Sequence, residues 1–106
     1  MIGGLRHRVM LQRRIEVADA GGGVSLGWTD IAELPAGIMP LAGSERVREM
    51  RVQPVHNFLI RLRYREDITP ADRLLFGQRV LNIRSVRNVN SGNQWTECRC
   101  EEGVGG

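Results

Sequence analysis

Lysine is absent from this 106-residue chain, and all fifteen basic side chains are arginine. Arginine suits phosphate contact and two-point pairing with carboxylates better than lysine does. Aromatic residues are scarce: Trp28, Phe58, Tyr64, Phe76 and Trp95 are the whole set. That weighs against a surface built to stack nucleobases, which needs several free rings. Cysteine occurs twice, at Cys98 and Cys100. Spaced two apart in a strand, the two thiols share one face and are badly placed to bond each other. No apolar run approaches the length of a membrane helix. Met1 leads through Gly3 and Gly4 into Arg6 and Arg8 with no apolar leader, so the chain is expected to be made in the cytoplasm with its thiols reduced.

The motifs of catalysis are missing too. The triplet Gly21-Gly22-Gly23 is followed by no Gly-Lys-Ser/Thr ending and stands in no strand–glycine–helix context, which excludes a phosphate-binding loop. There is no paired-carboxylate signature and no Gly-x-Ser-x-Gly elbow. Cys98, Cys100, His7 and His56 match structural zinc spacing poorly. The expectation is a protein that is not an enzyme and holds no metal or cofactor.

What is present is a globular composition, with 42% hydrophobic and 25% charged residues and a net charge of +3. The length fits one domain, residues 1–106. So short a domain buries a modest share of its surface, and neighbours in an assembly would add stability. The slight positive excess permits a nucleic-acid partner without establishing one.

The hydropathy pattern is mostly that of strands. From His7 to Val17 the odd positions carry Val9, Leu11, Ile15 and Val17, interrupted by Arg13. Asp19 to Gly23 reads as a hairpin loop. Trp28 to Leu41 is extended but interrupted by Pro35 and Gly37. Val55 to Arg65 alternates most clearly, with His56, Phe58, Ile60, Leu62 and Tyr64 on one face. Arg61, Arg63 and Arg65 fall on the other. Arg73 to Phe76 and Arg79 to Val89 form a hairpin turning at Gly77-Gln78. After a turn at 90–93, Trp95 to Glu101 is the last strand, and residues 103–106 are expected to be mobile. The exception is about 44–53, where Ser44 as an N-cap, Glu45, Glu49, and Val47 with Met50 three apart predict a short helix ending before Pro54. The fold expected is mainly β: a small closed or partly open antiparallel barrel with one short helix in an inserted loop.

Several segments, in order, resemble the phage head–tail joining proteins (head closure, stopper or head–tail adaptor), including their gene-transfer-agent counterparts. Gly4-Leu5-Arg6-His7-Arg8-Val9-Met10-Leu11-Gln12-Arg13 is similar to that family's opening. Gly27-Trp28-Thr29-Asp30-Ile31-Ala32 resembles its segment after the glycine-rich loop. Met39-Pro40-Leu41-Ala42-Gly43-Ser44-Glu45 resembles the approach to its insertion. Ile60-Arg61-Leu62-Arg63-Tyr64-Arg65-Glu66-Asp67-Ile68-Thr69-Pro70 and Gly77-Gln78-Arg79-Val80-Leu81-Asn82-Ile83 complete the set, which spans roughly residues 4 to 86. The last strand, Trp95 to Glu101, matches only loosely.

The resemblance implies a barrel assembled as a ring of six or twelve copies at the DNA exit channel. Its partners would be the portal–adaptor complex on the head side, the tail terminator or tail tube on the other, and double-stranded DNA passing through without sequence specificity. The location implied is the neck of a virion or phage-like particle, with no membrane involved. Arg46, Arg48, Glu49 and Arg51 are the candidate channel or ring contacts. Arg61, Arg63 and Arg65 are the candidate subunit-interface residues. The alternative is a free-standing nucleic-acid-binding module of the OB or SH3-like kind.

Overall fold

A computed structural model describes residues 4–41, 44–48 and 51–103, with the backbone alone for 44–48 and 51–55. Its elements are β1 (His7–Ala18), β2 (Val24–Pro40), β3 (Ser44–Arg48), β4 (Arg51–Val55), β5 (Asn57–Arg63), β6 (Arg73–Phe76), β7 (Arg79–Asn88), a single 3-10 turn at Val89–Ser91, and β8 (Trp95–Gly103).

Six strands close on themselves in the order β1-β2-β5-β8-β7-β6, every neighbour antiparallel. Closure is uneven. Three residue pairs, Met10 with Leu75 through Gln12 with Arg73, join β1 to β6, whereas eight join β7 to β8. Alternation decides what goes inside. Phe58, Ile60 and Leu62 of β5, Leu81 and Ile83 of β7, and Cys98 and Cys100 of β8 fill the interior with Val9, Leu11 and Leu74. Ile68, from the loop after β5, adds to this core. Each large aliphatic side chain so buried is worth about 1.5–3 kcal/mol.

Two turns need backbone that few side chains tolerate. Gly77, at φ +62°, turns β6 into β7 as the sequence pattern predicts. At the β1–β2 tip, Asp19 accepts hydrogen bonds from the backbone N–H groups of Gly21 and Gly23, both 2.9 Å, fixing the loop.

Strands β1 and β2 outrun the barrel. Beyond Gln12 and Asp30 they pair only with each other, as a two-stranded ribbon of residues 13–18 and 24–29. Ile31 is the extra residue of a bulge at its root. The odd-numbered apolar row of β1 therefore divides: Val9 and Leu11 are buried, while Ile15 and Val17 are exposed on the ribbon. Arg13 marks the division, its guanidinium reaching Asp72 at 3.2 Å.

The clearest departure from expectation is the insertion. The segment about 44–53 is not a helix: β3 and β4 form a separate antiparallel pair, with Ser44 opposite Val55, Glu45 opposite Pro54, Arg46 opposite Gln53, Val47 opposite Val52 and Arg48 opposite Arg51. The predicted helix had only Val47 and Met50 as an apolar stripe, too little to hold so short a helix. Val47, Val52 and Val55 are β-branched and favour extended backbone, and pairing β3 with β4 satisfies the backbone groups that each strand turns toward the other. Glu49 and Met50 lie outside the described residues.

Smaller boundaries move as well. Val55 belongs to β4, and His56 is an exposed connector outside any strand, so it does not head the apolar face of β5. Arg65 lies past the end of β5. Pro35 does not split β2, which runs through as 17 residues with Pro35 opposite Arg8. Gly103, expected in the mobile tail, pairs with Val80 as the last residue of β8, and 104–106 lie outside the described residues.

Candidate assembly surfaces

With alternate residues of β5, β7 and β8 inside, the others make an outer face on which arginines outnumber two acids, Glu97 and Glu101, the second paired with Arg84. Register sets Arg61 of β5 and Arg87 of β7 on either side of Glu97 of β8. Arg61 donates to Glu97 Oε2 from Nε at 3.2 Å and from Nη2 at 2.7 Å, and Arg87 donates to Oε1. The Glu97 side chain is only 6% exposed. Burial by itself raises its carboxyl, but the hydrogen bonds from Arg61 and Arg87, then their charges, outweigh that and hold it below the ordinary glutamate range. Charge-assisted bonds of this kind are roughly twice as strong as neutral ones.

One row along, Arg61 and Arg63 stack on the ring of Trp95, 5.7 and 5.8 Å from its centroid. On the other side of Glu97 lies Arg99, opposite Leu59 and Ser85. Leu59, Ser85, Arg87, Glu97 and Arg99 line an open groove of about 250 Å³.

Arg61 and Arg63 thus share this face, whereas Arg65 is placed elsewhere. It bonds Asp67 through two contacts of 3.0 Å, and its backbone N–H reaches Thr96 Oγ1 at 3.0 Å. The hydrogen bond from Arg65 holds the Asp67 carboxyl below its usual range. Arg13 donates to the Asp67 carbonyl and to Asp72, so one arginine ties the loop between β5 and β6 to β1 at both aspartates.

A second arginine cluster braces the ribbon's root. Gln12 donates to Asp30 at 2.7 Å and accepts from Arg73 at 2.8 Å. Arg73 and Arg14 lie over Trp28, 4.1 and 5.2 Å from its centroid. Arg46 and Arg48 stand on β3 and Arg51 on β4, with Arg48 and Arg51 as cross-strand partners, so the candidate channel arginines are carried by the inserted hairpin.

The thiols and imidazoles do not converge. Cys98 and Cys100 are free and wholly inside the barrel. Burial pushes the Cys98 thiol up to about 12 and the Cys100 thiol higher still. His7 meets the Phe76 ring edge-on at 5.2 Å. Among the described residues no group of three or more His, Cys, Asp or Glu is placed to hold a metal ion, and no helix is long and apolar enough to cross a membrane.

The sequence pattern did not single out Glu97, though it organises the whole outer face. Its one signal was an acid at an outward position of a strand whose neighbours both offer arginine, which is visible only once the strand order is known.

The comparisons with known proteins agree with this architecture. The sequence profile of the phage head completion protein family matches residues 1–103. The chain belongs to that family. Membership makes it a structural protein of phage-type head assembly. A chain from the virion of a native gene transfer agent particle superposes on it with a TM-score of 0.75 at 26% identity, covering 93% of this chain and 94% of that one. Protein SF1141 from Shigella flexneri 2a superposes with a TM-score of 0.72 at 25% identity, covering 99% and 98%. A search of curated proteins finds no match. In this head completion protein the family match extends through β8, where the sequence motifs matched only loosely.

Proposed function

We propose that this head completion protein assembles as a ring of six or twelve copies at the DNA exit of the head, between the portal–adaptor complex and the tail terminator or tail tube. The ring retains packaged double-stranded DNA and presents the tail's docking surface. It performs no catalysis and takes no cofactor. The observation that carries this reading is the β3–β4 hairpin with Arg46, Arg48 and Arg51, spliced between two strands of a closed barrel. Closing and reopening a channel needs an element that moves while its support stays rigid. A hairpin paired only within itself can shift without breaking a barrel hydrogen bond. Support for the neck setting comes from the family and from the gene-transfer-agent virion chain.

The reading as a free-standing nucleic-acid-binding barrel has less behind it. Stacking needs bare aromatic faces, and both tryptophan rings already carry arginines.

Deleting residues 44–53 is the direct test. The expected result is a folded barrel and heads that leak DNA or fail to take tails. Unfolding of the barrel would assign the hairpin to the core and send the gate elsewhere. Replacing Arg46, Arg48 and Arg51 by glutamine tests the charge. Normal DNA retention and infection or transduction by such particles would reduce these arginines to a solvated surface.

A further inference from the structure

All the large hydrophobic side chains left exposed among the described residues lie on the β1–β2 ribbon or at its root: Ile15, Val17, Val24, Leu26 and Ile31. Register sorts four of them onto two faces. Ile15 and Val17 flank Gly27 on one, and Leu26 and Val24 share the other with Glu16 and Ala18. A two-stranded ribbon alone is marginal in water, and clustered exposed apolar residues mark a contact surface. Its charges are sorted too. Both arginines are held at the root, Arg13 by Asp72 and Arg14 over Trp28. Beyond them the ribbon carries Glu16 and Asp19, so its outer half is apolar and acidic.

The complementary surface is on the same chain, on the far side of the barrel. Strand β8 stands three strands from β1 whichever way the ring is followed. The outer face of β5, β8 and β7 offers Arg61, Arg63, Arg84, Arg87 and Arg99 against Glu97 and Glu101, an excess of arginine, together with Leu59 in the groove. Glu97 is already engaged by Arg61 and Arg87, and Arg99 makes no ion pair among the described residues. Two complementary patches on opposite sides of one subunit make a head-to-tail contact, the kind that closes into a ring when the rotation permits.

We propose that the ribbon of each copy seats on the β5–β8–β7 face of the next, with Leu26 and Val24 against Leu59 and Glu16 toward Arg87 and Arg99. This rests on the ring reading above and names the surface that would build it. Like-charged groups set opposite each other are costly across an interface, so the sorted charges also fix which way the ribbon faces.

The test is site-directed cross-linking in purified heads carrying Leu26→Cys with Ser85→Cys. Leu26 is 64% exposed and Ser85 is exposed, so both changes leave the barrel intact, while the native thiols are fully buried and do not compete. On mild oxidation the double variant should give a ladder of covalent multimers of this chain, with neither single variant giving one. Glu16→Arg should cut incorporation into heads several-fold, and adding Arg99→Glu should restore it. A ring seen in reconstructed particles with no ladder would overturn the seating and leave the ring reading standing. One copy per particle would overturn both. Dimers from Leu26→Cys alone, or cross-links to a different particle protein, would show another occupant on the ribbon and end the proposal.

Discussion

Replacing Glu97 by glutamine removes the negative charge that Arg61 and Arg87 share while nearly preserving its shape. In the native fold the carboxylate is 6% exposed and accepts from Arg61 at 2.7 and 3.2 Å and from Arg87. Breaking a fully buried pair costs about 3–5 kcal/mol. Here the stranded arginines are 22% and 70% exposed and recover hydration, so the smaller value for hydrogen bonds to charged groups applies, about 1.5–3 kcal/mol. At about 4 °C per kcal/mol for a chain of this size, the melting temperature at pH 7 should fall by about 6–12 °C. The pH dependence supplies a second readout. Because the folded carboxyl titrates below its unfolded value of about 4.3, its stabilisation is complete above that pH and is lost as pH falls through the depressed folded value. The gap between wild type and Glu97→Gln should therefore be full at neutral pH and close progressively below about pH 4.3. Thermal melts by circular dichroism across that range measure both. A gap of less than about 2 °C at pH 7, or one that persists unchanged into acid, would refute the argument that Glu97 holds the face together.

Three further outcomes follow from the geometry. Cys98 and Cys100 should resist a thiol reagent at pH 8 in the folded protein and react at once in denaturant; rapid native labelling would show that the barrel opens. Gly77→Ala should cost about 1 kcal/mol, read as a lowered melting temperature, because φ is +62° in the β6–β7 turn. Asp72→Ala should cost about 1.5–3 kcal/mol and raise amide exchange in the 64–72 loop, since Asp72 bonds both Arg13 and the Thr69 N–H from a side chain 2% exposed.

The barrel strands were legible because burial of one face imposes a period of two. Phe58, Ile60 and Leu62 announced β5, and Leu81 and Ile83 announced β7. Turn chemistry placed the Asp19–Gly23 loop and the Gly77 turn for the same local reason. The inserted segment was misread because five residues per strand with charges interleaved give no clean period, and Ser44 with Glu45 imitates a helix start. What pairs with what is not written locally. Nothing near Ile15 and Val17 says that their strand has left the barrel by that point, since the alternation continues unbroken past Arg13. Likewise Arg61, Arg63 and Arg65 look like one row in sequence, and only the end of β5 at Arg63 separates the third from the other two.

Closure of six strands has a consequence for how this protein fails. Closure leaves the barrel little edge for another strand to join, chiefly beside the short β1–β6 seam, so templated aggregation has few places to start on the barrel itself. The ribbon is different: beyond Gln12 and Asp30 both its outer edges carry unpaired N–H and C=O groups beside exposed apolar side chains. Glu16 then acts as a gatekeeper, a charge set among Leu26, Val24 and Ala18 that penalises stacking of ribbon on ribbon. A neutral residue at position 16 would leave the native barrel untouched and convert its ribbon into a nucleus for fibres.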